Sequence, residues 1–299
     1  MQLYEILSLL IFAGFWLFIY ANEAFLLASK FRHETLVKSK FRKFIHVLSV
    51  IGIVCFLYAY FVEPYWVDIR YIDVQTNKLN NTTFTLVQIS DLHCDKKVRS
   101  EHKVVEIVNK INPDVIVFTG DALNSPEALL SFQNTLRELR ADLGKFAVRG
   151  NWDVWYWNRL DLFKGTNFIE LNKTFQAVEK NGEKITISGL AAGSPWEGLV
   201  PSENQFNVFL YHYPDLIEDI APLNVDLYLA GHTHGGQVAL PFYGAIITLS
   251  KFGKKYEAGE YKFNNTILYV NRGIGMEGGL APRIRFFARP EITVFKIEP

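Results

Sequence analysis

Gly231-His232-Thr233-His234-Gly235-Gly236 places two imidazoles one residue apart on a glycine-flanked turn. Side chains so spaced can reach two neighbouring metal ions but do not share one helix face. The preceding Asp226-Leu227-Tyr228-Leu229-Ala230 reads as a short buried strand, so the histidines stand where a strand runs out. Open α/β sheets bind their ligands at that end of the strands. By itself the hexapeptide is equally compatible with an ordinary loop, so its weight depends on partners elsewhere in the chain.

Upstream, each strand ends in the same chemistry. Phe84 to Ile89 reads as a strand and runs into Ser90-Asp91-Leu92-His93. Asp114 to Phe118 is a continuous apolar strand and runs into Thr119-Gly120-Asp121, and Gly144 to Val148 runs into Arg149-Gly150-Asn151. Between them, Glu101 to Ile111 and Pro126 to Ala141 read as helices. Such alternation predicts parallel pairing with helices packed on the sheet. The apolar Val208 to Leu210 then leads to His212, and Asn181-Gly182 between Thr174–Val178 and Lys184–Ser188 is a hairpin signal. The tail from Gln237 to Ile297 reads mostly as short strands with glycine turns. Glycine before a ligand lets the backbone approach a charged centre without a Cβ in the way. Oxygen and imidazole donors without thiolate suit Mn²⁺, Fe²⁺ or Zn²⁺ rather than a structural zinc knot.

The ordered set Asp-x-His, Gly-Asp, Gly-Asn, His and Gly-His-x-His, from Asp91 to His234, resembles the calcineurin-like metallophosphoesterase family over about residues 84 to 297. Gly235-Gly236-Gln237, Arg272-Gly273-Ile274-Gly275 and Pro290-Glu291 make it similar to the membrane-anchored phosphodiesterase branch, and it is similar also to UDP-2,3-diacylglucosamine pyrophosphatases. The resemblance implies a four-layer α/β fold, two sheets sandwiched between helices, with two divalent metal ions at the strand ends. Carried over residue by residue, it implies one metal on Asp91, His93 and His234 and another on Asn151, His212 and His232, with Asp121 bridging. It also implies hydrolysis of phosphodiester or pyrophosphate bonds by a metal-bridging hydroxide, with Asp121, Asn151 and Asp153 in catalytic roles.

One position departs from the pattern. The family's usual residue after Gly-Asn is a histidine that steadies or protonates the leaving group, whereas this chain reads Gly150-Asn151-Trp152-Asp153. Indole carries no titratable proton near neutrality, so Asp153 lacks its customary partner and leaving groups that depart as anions are favoured. A terminal phosphate, with a second pKa of about 6, is such a group. His102 on the first helix is one substitute donor, with a solvated helix face as the plainer role. The cluster Trp152, Trp155, Tyr156 and Trp157 reads either as packing over the site or as a platform for a base or an acyl chain.

With 299 residues, 49% of them hydrophobic, the chain can hold one sizeable domain and extra segments. Its 31 basic and 31 acidic side chains cancel, which gives no support for nucleic-acid binding. Cys55 sits in an apolar run and Cys94 beside a polar motif, so no disulfide is expected. Residues 1–64 read as a membrane anchor. Ile6 to Ala21 carries no charge, Phe44 to Val62 only His46, and spanning takes roughly 20 apolar residues. Buried soluble helices, or a cleaved signal peptide for the first run, are the alternatives. The connector holds Lys30, Arg32, Lys38, Lys40, Arg42 and Lys43 against Glu34, with His33 also in it, while Glu5, Glu63 and Asp68 flank the outside. The positive-inside rule then predicts two spans in the cell membrane, with a linker over 65–83 and the catalytic domain, 84–299, outside the cytoplasm. The expected partners are the membrane and a phosphate-containing small molecule or lipid. The competing reading is a non-catalytic phospholipid-binding domain, against which all seven ligand positions being filled is the discriminating feature.

Overall fold

The computed structural model describes residues 2–31, 40–198, 201–278 and 282–299. Arg32, His33, Glu34 and Lys38 of the basic connector lie outside the described residues. Two helices come first: α1 (Leu3–Phe31) of 29 residues and α2 (Lys40–Phe61) of 22. At about 1.5 Å per residue both exceed the roughly 30 Å of a hydrocarbon core, and both are apolar enough to cross one by composition. They pack on each other where Gly52, lacking a Cβ, lets the rings of Trp16 and Tyr20 lie against α2. Outward-facing Ile11 and Leu17 are each 72% exposed, an apolar surface that water would disfavour.

Both helices are tied to the domain at the ends away from the connector. The Glu5 carboxylate accepts the Thr248 N–H at 2.9 Å and its hydroxyl at 2.8 Å, and the Glu63 carboxylate accepts the Ala288 N–H at 2.6 Å. These two acids, read from the sequence as flanking charges, are buried anchors.

The chain then forms β1 (Asp68–Gln75), β2 (Phe84–Ile89), α3 (Glu101–Ile111), β3 (Val115–Phe118), a 3₁₀ turn at Pro126–Ala128 leading into α4 (Leu129–Glu138), and β4 (Gly144–Ala147). There follow α5 (Asn151–Trp155), β5 (Ile169–Glu170), the hairpin β6 (Thr174–Lys180) and β7 (Glu183–Leu190), β8 (Phe206–Tyr211), α6 (Ile217–Ile220) and β9 (Leu227–Ala230). The tail holds β10 (Ala239–Leu240), β11 (Gly244–Ala245), β12 (Gly259–Phe263), β13 (Thr266–Val270) and β14 (Glu291–Glu298). Asn181 and Gly182 turn the hairpin with φ of 53° and 81°, the paired positive angles that a two-residue turn of matching twist requires.

One sheet runs β1-β14-β2-β3-β4-β5 and the other β12-β13-β9-β8-β7-β6. In the first, β2, β3, β4 and β5 are parallel, and in the second, β13, β9, β8 and β7 are. Part of the expected linker is therefore sheet: β1 pairs in parallel with β14 from Asp68–Glu291 to Gln75–Glu298. The single helix expected from Pro126 to Ala141 is a 3₁₀ turn plus a shorter helix that ends where Leu139 turns extended.

Alternation along the strands builds the layers. Val115, Val117, Val208, Leu210, Leu227 and Leu229 fill the space between the sheets. Their neighbours Ile116 and Phe118 face α3 and α4 through Val104, Val108, Phe132 and Leu136, while Phe209 and Tyr228 face Ile217 and Ile220 of α6. Gln88 breaks the apolar inner layer and bridges it, its amide donating to the Thr119 hydroxyl and to the Ala230 carbonyl. The result is an α/β four-layer sandwich, helix on sheet on sheet on helix. The C-terminal ends of β2, β3, β4, β8 and β9 meet at one edge of it.

Candidate metal centre

At that edge the chain delivers every residue the motifs singled out. Asp91, His93, Asp121, Asn151, His212, His232 and His234 are all buried. Asp91, His93, Asp121, His232 and His234 have φ between 38° and 71°, the left-handed region that L residues occupy at a cost of roughly 1–3 kcal/mol each. Five such residues in one site mark a backbone bent to aim donors at a common point. The blocks interlock through backbone bonds: the Asp91 N–H donates to Gly120 O, His93 N–H to Asp121 O, and Gly231 N–H to His212 O. Gly231 is required sterically, since a Cβ there would lie on the Ser90 hydroxyl and the Asp91 carboxylate.

Two groups of acid and imidazole donors, Asp91/His93/His234 and Asp91/Asp121/His212, each bring their ligand atoms within 4.8 Å of one another. His93 Nε2 faces His234 Nε2 at 3.2 Å, with Asp91 Oδ1 3.4 Å from the latter. Asp121 Oδ2 stands 3.2 Å from His212 Nε2 and 3.6 Å from His93 Nε2, between the two halves. The second ring nitrogens of His212 and His232 are held on backbone carbonyls. His212 Nδ1 donates to Thr119 O at 2.7 Å, leaving its Nε2 as the lone pair, and His232 Nε2 donates to Leu249 O at 3.3 Å. Asn151 Oδ1 and His212 Nε2 are buried without a hydrogen-bond partner. An orphaned oxygen and an orphaned nitrogen, aligned with two carboxylates and three further imidazoles, form a donor set that fits divalent cations.

The electrostatics agree. Burial pushes His93 down to about 4 and His232 to about 3, keeping both rings neutral and able to donate lone pairs. Burial opposes charge on His212 too, but Asp121 and Asp91 outweigh it and raise it to about 10. Burial, with Asp121 nearby, raises Asp91 to about 7. Two carboxylates held away from water draw positive charge to them, and a metal ion supplies that without a proton.

Asp153 holds this geometry from behind. Its carboxylate accepts N–H donors from Asp121 at 2.8 Å, Ala122 at 2.9 Å and Gly150 at 2.9 Å, so both oxygens are committed to backbone. Expected as a catalytic group short of its customary partner, it has three backbone partners of its own. His102 does not reach the centre: it lies on α3 beside a separate surface cleft with Glu127 and Asn134. The aromatic cluster divides. Trp157 packs on the core and donates to Leu123 O, whereas Trp155 and Tyr156 are exposed. Trp152 stands edge-on to the His93 ring at 5.2 Å.

Several residues at the site carried no sequence signal. Arg285 is fully buried and donates to the carbonyls of Arg272, Gly273, Gly275 and Ala288, with His234 Nδ1 3.3 Å away. Glu277 accepts the Trp152 indole N–H at 2.9 Å. The motif Arg272-Gly273-Ile274-Gly275 lies beside the Asp91 loop, the Gly275 N–H donating to Asp91 O, and Arg272 pairs with Glu291 and Asp68.

The chain matches the family model described as calcineurin-like phosphoesterase over residues 84–236. It is 35% identical over 258 residues to the uncharacterized metallophosphoesterase YkuE of Bacillus subtilis (strain 168), covering 81% of this chain and 89% of that protein. The chain belongs to the calcineurin-like metallophosphoesterase family, a family of hydrolases. Phosphodiesterase YaeI of Escherichia coli (strain K12) is 28% identical over 258 residues, 81% of this chain and 92% of that protein. UDP-2,3-diacylglucosamine pyrophosphatase LpxG of Chlamydia muridarum (strain MoPn / Nigg) is 26% identical over 275 residues, 71% of this chain and 82% of that protein.

Proposed function

We propose that this protein is a membrane-anchored phosphoesterase that hydrolyses phosphodiester or pyrophosphate bonds with two divalent metal ions. The observation that carries the reading is the convergence of seven buried donors with orphaned Asn151 Oδ1 and His212 Nε2 at the strand ends. Asp91, His93 and His234 would hold one ion, Asn151, His212 and His232 the other, with Asp121 between them, since its Oδ2 faces imidazoles of both halves. Mn, Fe or Zn ions bound there would supply an activated water and a clamp on the phosphoryl oxygens. The protein's own part is to fix the donors: Thr119 O sets the His212 tautomer and Asp153 pins the Asp121 and Gly150 backbone. Anchoring of the domain outside the cytoplasm is supported by α1 and α2 meeting it at their connector-distal ends.

A second reading, a lipid-linked substrate such as a diacylated pyrophosphate, is favoured by one feature. A cleft of about 540 Å³ runs from His232 and His234 to Leu9, Phe12, Ala13 and Trp16 of α1, so an acyl chain could leave the metal centre directly along a membrane helix. Metal-stripped protein in detergent, reloaded with Mn²⁺, should turn over diesters or pyrophosphates in preference to monoesters. Two bound ions with no turnover of any of the three would replace the phosphoesterase reading with the binding-only one.

A further inference from the structure

The position where the family carries a proton-donating imidazole holds Trp152, and the structure shows what that indole does. Its Nε1–H donates to Glu277 Oε2 at 2.9 Å while its ring stands 5.2 Å from that of His93. Glu277 lies far from Trp152 in sequence and lines the same cleft as His232 and His234. Its backbone is clamped at both ends by one side chain, Gln237, which accepts the Glu277 N–H at 2.8 Å and donates to its carbonyl at 2.9 Å. Gln237 directly follows the 3₁₀ turn His234–Gly236, so the turn that carries the histidines also fixes Glu277. Among the described residues Trp152 is the only hydrogen-bond donor to this carboxyl, which leaves Oε1 with capacity to carry a proton.

We propose that the Glu277 carboxyl is the proton donor to the leaving-group oxygen, taking the part of the imidazole that Trp152 replaces. The proposal rests on the phosphoesterase reading of the centre. Hydrolysis forms a bond from phosphorus to the oxygen of water and breaks the bond to the leaving oxygen, which keeps the electron pair. The attacking water gives up a proton to solvent, and the Glu277 proton moves onto the leaving oxygen, leaving a carboxylate that regains its proton from solvent. Burial holds Glu277 above the ordinary carboxylic range, reinforced by Asp121 and opposed by the Trp152 N–H and by His212, the groups that act on it. A carboxyl raised by burial is a suitable acid near neutral pH.

Glu277→Gln keeps the size and the hydrogen bond but has no proton to give. A positioned acid is worth about 10²–10⁴-fold, so alkyl diester turnover should fall by that much in kcat, pyrophosphate turnover far less, and the dependence of rate on leaving-group pKa should steepen. Trp152→Phe keeps a ring but removes the N–H that favours the carboxylate, so the alkaline limb of the alkyl-diester profile should move to higher pH. In metal-stripped protein, the indole ¹⁵N–H resonance of Trp152 should titrate with Glu277 and stand still in Glu277→Gln. An equal loss for all leaving groups in Glu277→Gln, or loss of bound metal, would make Glu277 a holder of the site and overturn the proposal. So would unchanged alkyl turnover. If the unaltered protein binds its metals yet hydrolyses nothing, the phosphoesterase reading falls as well.

Discussion

Asp153→Ala tests how the centre is held. The carboxylate it removes satisfies the N–H groups of Asp121, Ala122 and Gly150 at 2.8–2.9 Å, all in buried residues. A buried donor left unpaired costs roughly 1–3 kcal/mol. Three together, with some relief from entering water, give a loss of roughly 3–6 kcal/mol. That is a large share of the 5–15 kcal/mol typical of a folded domain. For a domain of this size the melting temperature should drop on the order of 10–20 °C. Asp153→Asn keeps one oxygen and should cost about 1–3 kcal/mol. The assay is denaturant unfolding of metal-free protein in detergent, with metal content of the folded variant measured alongside. Because Asp121 N and Gly150 N are tethered by the same carboxylate, metal content should fall with stability even where the fold survives. If Asp153→Ala unfolds within 1 kcal/mol of the unaltered protein and keeps its metals, the three bonds do not hold the site.

Two further outcomes are expected. Purified protein should carry up to two transition-metal ions per chain by elemental analysis, and Asp121→Ala, which removes the oxygen shared between His93 and His212, should lose most of the second. Full occupancy in that variant would refute the bridging role. A thiol reagent that does not cross membranes should label a cysteine placed at the exposed Trp155 in intact cells but not one placed at Lys40, and the reverse pattern would put the catalytic domain in the cytoplasm.

Much of this was legible in the chain because it depends on neighbours in sequence. The strands Val115–Phe118 and Leu227–Ala230 are unbroken apolar runs, which only a doubly covered sheet accommodates. The Asn181-Gly182 turn is set by two residues whose backbone tolerates positive φ. The metal-ligand blocks were readable for a related reason: each stands at a strand end, and those of Asp121, Asn151 and His232–His234 carry a glycine adjacent to the donor.

What only the tertiary structure decided depends on partners far away along the chain. β1 has a largely exposed side-chain pattern and no apolar run, and it becomes a strand because β14, more than two hundred residues later, offers an unpaired edge. Glu5 and Glu63 look like solvated flanking charges until Thr248 and Ala288 bring buried N–H donors to them. Arg285 is a charge in the core that no sequence rule would bury. It is tolerated because the carbonyls of the Arg272–Gly275 loop converge on its guanidinium. Glu277 belongs with them, an acid in a glycine-rich stretch that meets Trp152 only after the two sheets have closed. Sequence pattern records which face of an element is apolar. Which lone polar group meets which across the fold is settled when packing excludes water and every buried donor and acceptor must find a partner.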